Sequence, residues 1–237
     1  MPVKRRAAVH PLGDQAVLIE LGRRIDTALN SRAIALARAL RQRRGVLEAT
    51  PGYASVTLRY DPDRIQPETI ERAVERLLAQ KTAPPRMGRL HRVPVAYDGP
   101  DLEETAQTLK LSVEELIHLH TEPTYRCFMV GFVPGWAYLG PLPERIRLPR
   151  RAVPRTAVPA GTVAIAGSQA GVYPLPTPGG WHLLGRTKLP MFLPEQDPPS
   201  LFLPGDRIRF FQVDRPAAAA SEEDAPATAA PKEEAGS

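Results

Sequence analysis

The first hundred residues show two hydrophobic periodicities, one typical of strands and one typical of helices. Four short segments bounded by glycine, proline or aspartate turns predict strands. Two longer segments place apolar residues three or four positions apart, which predicts amphipathic helices. The order β-α-β-β-α-β is typical of a ferredoxin-like α/β domain, which we expect over residues 1–83. The strands are predicted at 15–21, 46–49, 54–60 and 90–97, and the helices at 31–44 and from Pro67.

The ends of these helices carry local signals. Asn30 and Ser31 are predicted to cap the first helix, and Gly45 is predicted to end it. Pro67 suits the first turn of the second helix, where its missing N–H has no partner to lose. Residues 82–88, which contain two prolines and a glycine, predict a linker to the next domain.

Residues 101–120 predict two further short helices, the second opened by a capping box of Ser112 and Glu115. A pair of short helices is also found in DNA-binding proteins. Here, however, Glu114 and Glu115 lie in the first turn of the second helix, where they would repel phosphate groups. The sequence therefore argues against DNA binding.

From Tyr125 onward the pattern changes to short apolar strands separated by dense turns. Fourteen of the 27 prolines fall between Pro141 and Pro216, where they disfavour helices. This part, residues 84–214, is predicted to be a β-barrel or sandwich, so the fold class of the chain is α+β. Strands are predicted at 126–133, 163–166, 181–184 and 207–213.

Composition and charge narrow the class of protein. Hydrophobic residues make up 43% of the 237 residues and charged residues 24%, as in ordinary globular proteins. Residues 215–237 contain two basic and five acidic residues and no aromatic residue, which predicts a disordered tail. The whole chain carries a net charge of +5 and this tail −3, so the remaining residues carry +8. A net positive charge of this size suits an anionic ligand or a solvated arginine-rich surface.

The same composition bears on location. No apolar run is long enough to span a membrane, and the first residues lack the apolar core of a signal peptide. Cys127 is the single cysteine, which excludes an internal disulfide, and its apolar neighbours predict a buried side chain. We therefore expect a cytoplasmic protein.

Common catalytic motifs are absent from the sequence. It contains no G-x-x-x-x-G-K-[ST] phosphate loop, no G-x-S-x-G and no H-E-x-x-H, so an ATP site would be unconventional or belong to a partner. His118 and His120 lie two positions apart on a predicted helix and face different directions, so no metal site is predicted. His120 is either a general base or ligand donor, or a helix-end residue favoured by the helix dipole.

Two glycine-rich segments of the β-rich part are candidates for a binding site. Residues 131–140 combine three glycines with three aromatic residues, among them Trp136 and Tyr138. Such a segment forms either a shaped loop with a stacking wall or a tight hairpin that supports the core. Ser168 and Gln169 lie between two glycines, where they would either hydrogen-bond a small polar ligand or form a plain turn.

Two arginines follow prolines in the same part of the chain. Arg150 comes directly after Pro149, and Arg155 directly after Pro154. A guanidinium group that a rigid turn holds in place suits a carboxylate or a phosphate. The alternative interpretation is that both are ordinary exposed arginines.

A series of short motifs runs along the chain in a characteristic order and spacing. They lie at 13–20, 60–62, 99–102, 131–139, 149–150, 154–155, 159–167, 179–181, 185–187 and 204–206, together with His120 and Tyr125. This series, which covers about residues 10–213, resembles the family of the B subunit of bacterial 5-oxoprolinase. That family also contains the first subunit of allophanate-hydrolase-type proteins and an inhibitor of the sporulation histidine kinase.

The resemblance implies a fold, an activity and partners. It implies a carboxyltransferase-type protein whose second domain, 84–214, is a cyclophilin-like β-barrel. It implies two partners, the C subunit and an amidohydrolase-like A subunit of 5-oxoprolinase. The assembly would open the lactam of 5-oxo-L-proline to L-glutamate, coupled to hydrolysis of ATP bound in the complex or by a partner. The present chain would be inactive alone and would bind neither nucleic acid nor membrane.

The resemblance also implies roles for seven residues. His120 and Arg155 are expected to be catalytic, His120 as an acid/base or polar ligand. Arg150 and Arg155 are expected to hold the substrate carboxylate or a phosphate. The other substrate-binding residues are Trp136 and Tyr138, which would form a wall, and Ser168 and Gln169, which would hydrogen-bond the lactam or an acyl intermediate.

Two other functions stay open at this point. A regulatory protein would dock on a sensor histidine kinase through the barrel surface and need no chemistry. A carboxyltransferase-like or allophanate-hydrolase-type subunit would work with a biotin-dependent urea carboxylase. Polar groups clustered in a pocket favour an enzyme, whereas an exposed apolar patch favours a partner-binding role.

Overall fold

The computed structural model describes residues 7–80 and 88–214. The predicted tail at 215–237 and all but the last residue of the predicted linker at 82–88 lie outside the described residues. The expected domain boundary between residues 83 and 84 lies outside them as well. Within the described ranges, no helix is both long enough and apolar enough to cross a membrane.

The first part of the chain forms an antiparallel sheet covered by two helices. Its elements are β1 (Ala8–Pro11), β2 (Ala16–Glu20), α1 (Thr27–Arg41), β3 (Val46–Pro51), β4 (Ser55–Tyr60) and α2 (Pro67–Ala79). The strands pair in the order β1-β2-β4-β3. Alternate residues of β2 and β4 are buried and meet the apolar faces of the helices, as the two periodicities predict. This core includes Val17, Ile19, Leu36, Leu40, Leu58 and Ile70.

Helix α1 begins one turn earlier than predicted. Its N-cap is Asp26, whose carboxylate accepts a hydrogen bond of 2.9 Å from the backbone N–H of Leu29. Asn30, the predicted cap, lies inside the helix and is fully buried. Aspartate and asparagine are equally good caps, and the local sequence does not show which of them has a tertiary partner. Helix α2 does begin at Pro67, as predicted.

The second part of the chain forms a near-closed barrel of seven strands with two helices. Its elements are β5 (Leu90–Val95), α3 (Leu102–Leu109), α4 (Val113–Thr121), β6 (Tyr125–Val130), β7 (Ala137–Gly140), a 3₁₀ helix (Glu144–Ile146), β8 (Arg155–Val158), β9 (Thr162–Ala166), β10 (Gln169–Val172), β11 (Thr177–Gly179), β12 (His182–Arg186) and β13 (Arg207–Gln212). The barrel order is β12-β9-β10-β7-β6-β13-β5, and β8 and β11 form a separate ribbon. Ala96 and Arg186 exchange backbone hydrogen bonds of 2.9 and 2.8 Å, which join the two edges of the barrel.

The predicted α+β class and the barrel are confirmed, with one difference in strand pairing. The predicted strand at 90–97 becomes β5, which does not join the first sheet but pairs in parallel with β13. Alternation predicts a strand and its buried face, and here Val93 and Val95 are buried in the barrel core. It does not predict the partner strand, and β1 takes the place expected for this segment.

Helices α3 and α4 close over the barrel. The predicted capping box is present, because the hydroxyl of Ser112 accepts from the N–H of Glu115 at 3.1 Å and the Glu115 carboxylate accepts from the N–H of Ser112 at 3.0 Å. The apolar residues of both helices join the main barrel core. That core also contains Tyr125, Cys127, Leu139, Ile165, Ile208 and Phe210.

Asp206 joins three segments where β5 and β13 begin. One carboxylate oxygen accepts from the N–H of Arg89 at 3.0 Å, and the other accepts from the N–H of Leu203 at 3.0 Å and lies 2.9 Å from Nε2 of His91. Burial alone would raise the pKa of Asp206, but the hydrogen bonds from His91, Leu203 and Arg89 outweigh burial and lower it below 3.8. Such a carboxyl stabilises the fold above its unfolded pKa, and this contribution is lost as the pH falls through the lowered value.

We expect Asp206→Asn to lower the free energy of unfolding by about 1–3 kcal/mol at pH 7, because an amide offers one acceptor oxygen to three donors. The difference from the unaltered protein should shrink as the pH falls from about 4 through the lowered pKa, where the native carboxyl itself becomes protonated. Urea unfolding between pH 7 and pH 3 measures both effects. Asp214→Asn, at an exposed position beyond β13, is the control, and an equal loss in the two variants would contradict the assignment.

Candidate functional site

Six aromatic side chains form a continuous group beside the main barrel core, which we call the aromatic cluster. The ring centroids of neighbouring members lie between 4.7 and 6.4 Å apart, and these pairs meet edge to face or tilted. Five of the six rings come from the barrel, and one comes from the turn between β3 and β4. The members are Tyr53, Phe128, Trp136, Tyr138, Tyr173 and Trp181.

Trp136 lies at the centre of the cluster and not on its surface. Its side chain is 2% exposed, and Gly171 makes room for it, since a Cβ there would lie 2.9 Å from the indole ring. Of the two interpretations of residues 131–140, the structure shows the supporting hairpin for Trp136. Its indole Nε1 is buried without a hydrogen-bond partner among the described residues. Tyr138 remains partly exposed, as a wall would require.

Asp101 is a buried carboxylate that orients two arginines. One of its oxygens lies 2.5 Å from Nη2 of Arg155 and 3.1 Å from Nη1 of Arg151, and the other accepts from the N–H of Leu183 at 2.8 Å. Arg151 also pairs with Glu104 at 2.8 Å, so the four charges cancel. Nη1 of Arg155 is buried and has no partner in the described part of the chain. This guanidinium nitrogen is therefore oriented by Asp101 through the rest of its side chain, while its own hydrogen-bonding capacity is unused by the described residues.

Arg150 adds an uncompensated positive charge beside the aromatic cluster. It is exposed and forms no ion pair with any residue in 7–80 or 88–214. Burial raises the pKa of Tyr53 to about 12 and also raises that of Tyr173, while the nearby Arg150 charge lowers both. Both phenols therefore stay protonated at neutral pH. A guanidinium group next to two phenols suits a small anion with a flat body.

Gln169 connects the barrel to the first sheet. Its Nε2 donates a hydrogen bond to the phenol oxygen of Tyr53. Its neighbour Ser168 lies in the turn between β9 and β10, where its carbonyl accepts from the N–H of Leu142 at 2.8 Å. The structure thus places the Gln169 amide at the cluster, and Ser168 shapes the adjoining turn.

His120 lies apart from the other predicted site residues, inside the barrel core. It is fully buried, its Nδ1 is 2.7 Å from the hydroxyl of Tyr97, and its ring stacks on Phe210 at 4.7 Å. Burial lowers the pKa of His120 to about 3, so the ring is neutral at physiological pH. This position fits the helix-end alternative, and the catalytic role of His120 stays a prediction.

The structure therefore brings five of the seven predicted residues to one place, with Ser168 in the adjoining turn and His120 apart. Sequence reasoning missed Tyr53, Tyr173 and Asp101. Asp101 lies in the motif at 99–102, but it was interpreted only as the start of a helix. Tyr53 directly precedes the strand predicted at 54–60, and its local sequence indicates no role at a site. Among the described residues, no three His, Cys, Asp or Glu side chains are grouped as a metal would require.

Comparisons with known proteins agree with this architecture. The carboxyltransferase domain family, subdomain C and D, matches residues 7–202. The 5-oxoprolinase B subunit of Bacillus subtilis (strain 168) is 39% identical over 224 residues, covering 88% of this chain and 93% of that protein. The 5-oxoprolinase B subunit of Escherichia coli O157:H7 is 41% identical over 210 residues, covering 87% of this chain and 96% of that protein.

A solved structure gives the same result. The crystal structure of TTHA0988 matches with a TM-score of 0.77 and 40% sequence identity. The match covers 85% of this chain but 40% of that chain, so this chain spans about two fifths of the length of TTHA0988. The fold is therefore shared with part of a longer protein.

We expect Asp101→Asn to lower the free energy of unfolding by about 2–4 kcal/mol, because two guanidinium groups lose their common carboxylate. This expected loss is smaller than is usual for a fully buried ion pair, because the side chains of Arg151 and Arg155 are 27% and 29% exposed. Chemical denaturation monitored by tryptophan fluorescence measures the change. Asp98→Asn, which removes the exposed ion pair with Arg186, is the matched control and should cost less than about 1 kcal/mol. Equal effects would show that Asp101 does not organise the site.

Proposed function

The chain belongs to the family of 5-oxoprolinase B subunits, and we propose that it acts in the cytoplasm as the B subunit of a heteromeric 5-oxoprolinase. With the A and C subunits as partners, it would help to open 5-oxo-L-proline to L-glutamate, coupled to ATP hydrolysis. The observation that carries this proposal is the buried, unpartnered Nη1 of Arg155 at an aromatic cluster. A small flat lactam with one carboxylate matches a site with one oriented cation and aromatic walls.

The two arginines divide the binding of the substrate carboxylate between them. Asp101 holds Arg155 in place, so binding an anion at Nη1 requires little loss of side-chain freedom. The charges of Arg155, Arg151, Asp101 and Glu104 cancel, and Arg150 therefore supplies the net positive charge that attracts the carboxylate. This arrangement distinguishes an anionic lactam from a neutral one.

The aromatic cluster takes the body of the substrate. Tyr138 is partly exposed and presents ring surface at which the substrate ring can be buried. Trp136 supports it from beneath at a centroid distance of 5.8 Å, which holds the Tyr138 ring in place. Gln169 brings an amide group to the same place, where it can hydrogen-bond the lactam.

The residues at this site do not fit ATP. The G-x-x-x-x-G-K-[ST] loop that commonly binds a triphosphate is absent from the sequence, and the site offers one oriented guanidinium nitrogen and one exposed arginine. We therefore assign ATP to a partner in the assembly. Its hydrolysis supplies the free energy for lactam opening, while this chain binds and orients the lactam.

Activity is expected only in the assembled complex. The measurement is 5-oxoproline-dependent ATP hydrolysis with release of glutamate, made on the purified chain and on its mixture with the A and C subunits. The chain alone should be inactive and the mixture active. A stable complex that releases no glutamate would contradict the proposed function, and binding of a sensor histidine kinase would then be the next assay.

Arg150→Ala should raise the KM for 5-oxoproline by about ten-fold or more, because a charge-assisted hydrogen bond to the substrate is lost. Stability should hardly change, since Arg150 is exposed. Arg145→Ala is the matched control, because that arginine is also exposed and its one ion pair within residues 7–80 and 88–214, with Glu115, is long at 3.9 Å. The lactam without a carboxylate, 2-pyrrolidinone, should bind both variants equally weakly. An unchanged KM in Arg150→Ala would contradict the carboxylate assignment.

A further inference from the structure

Tyr53 reaches the barrel from the first sheet, and a buried amide holds it there. The side chain of Asn30 is fully buried, and its Nδ2 donates to the carbonyls of Gly52 at 3.0 Å and Phe128 at 2.8 Å. Its Oδ1 accepts from Nε of Arg126 at 3.0 Å. We call these three hydrogen bonds the Asn30 latch. Because Gly52 directly precedes Tyr53, the latch fixes the position of the Tyr53 ring relative to the barrel.

Tyr53 and Gln169 each keep one hydrogen-bonding atom free. Nε2 of Gln169 donates to the phenol oxygen of Tyr53, so the phenol acts as acceptor and its own O–H is left to donate. Oε1 of Gln169 has no hydrogen-bond partner among the residues that the structure describes. Both residues are partly exposed, as binding of a ligand to the two free atoms requires.

A five-membered lactam has the complementary pair of atoms. Ring closure holds its amide in the cis form, so the carbonyl acceptor and the N–H donor lie side by side on one edge. We propose that Tyr53 donates to the lactam carbonyl while Gln169 accepts from the lactam N–H, so that this pair selects cyclic amides. The inference rests on the proposed function for the identity of the substrate. Arg150, which lies near Tyr53, would take the carboxylate of the same molecule.

The test measures binding of two ligands to the full complex with the A and C subunits, by calorimetry without ATP. The ligands are 5-oxoproline and the matching γ-lactone carboxylate, in which a ring oxygen replaces the N–H. The unaltered complex should bind the lactam about ten-fold more tightly or better, because the lactone oxygen would face Oε1 of Gln169 without a hydrogen.

The two variants should change this preference in different ways. Tyr53→Phe should weaken binding of both ligands by a similar factor of about ten, since both carry the carbonyl that loses its donor. Gln169→Leu should remove the preference for the lactam over the lactone. A residue that only stabilised the fold would not change this ratio selectively.

The control removes a tyrosine hydroxyl from the same sheet but away from the cluster. Tyr60 lies in β4 and is 3% exposed in the first core, so Tyr60→Phe should leave both affinities and their ratio unchanged. Thermal unfolding of each variant shows whether the complex is intact before binding is compared. The isosteric change at Tyr53 keeps its ring contacts with Phe128 and Tyr138.

The outcomes separate the two proposals. Unchanged affinities in Tyr53→Phe, or a lactam preference that persists in Gln169→Leu, would overturn the inference while leaving the proposed function in place. The expected binding pattern without glutamate release would contradict the proposed function and support the lactam-selecting pair. A complex that binds neither ligand would overturn both.

Discussion

The geometry of the site depends on one buried side chain, Asn30. An amide buried without partners would be strongly destabilising, but the three hydrogen bonds of the Asn30 latch use both of its polar atoms. Those bonds reach a turn of the first sheet and strand β6 of the barrel. Arg126 extends the contact with a hydrogen bond of 3.1 Å to Ser31. Together with the hydrogen bond from Gln169, this connection sets the position of Tyr53 at the barrel.

Asp101 is a second buried polar group whose hydrogen-bonding capacity is satisfied, in this case by charged side chains. Its two oxygens bind two guanidinium groups and a backbone N–H, so a carboxylate that is 2% exposed is fully partnered. In both cases a buried polar group uses its own hydrogen-bonding capacity to orient a second side chain. The O–H of Tyr53 and Nη1 of Arg155, which both belong to side chains held in this way, are among the atoms that the proposals assign to the ligand. In the proposed site, recognition therefore depends on residues whose positions are set by others.

Sequence patterns predicted those features that depend on local order. The apolar alternation of β2 and β4, the capping box of Ser112 and Glu115, and the glycine-aromatic hairpin at 131–140 all appear where expected. Features that depend on distant partners were not predictable. Asn30 is a residue type that often caps helices, which is the role that the local sequence predicts. One of its actual partners, the carbonyl of Phe128 in β6, lies 98 residues further along the chain. The pairing of β5 with β13 and the contact of Asp101 with Arg155 could not be predicted, because they too join residues far apart in the sequence.

His120 lies in surroundings that differ from those of the aromatic cluster. Histidine is the side chain that most readily transfers protons near neutral pH, but burial lowers its pKa to about 3 here and its ring packs within the core. The residues at the aromatic cluster behave in the opposite way. Arginine stays charged, glutamine does not titrate, and burial raises the pKa of Tyr53 to about 12. The site therefore keeps the same charges and donors across physiological pH, which suits a protein that recognises the substrate while proton transfer falls to its partners in the proposed assembly.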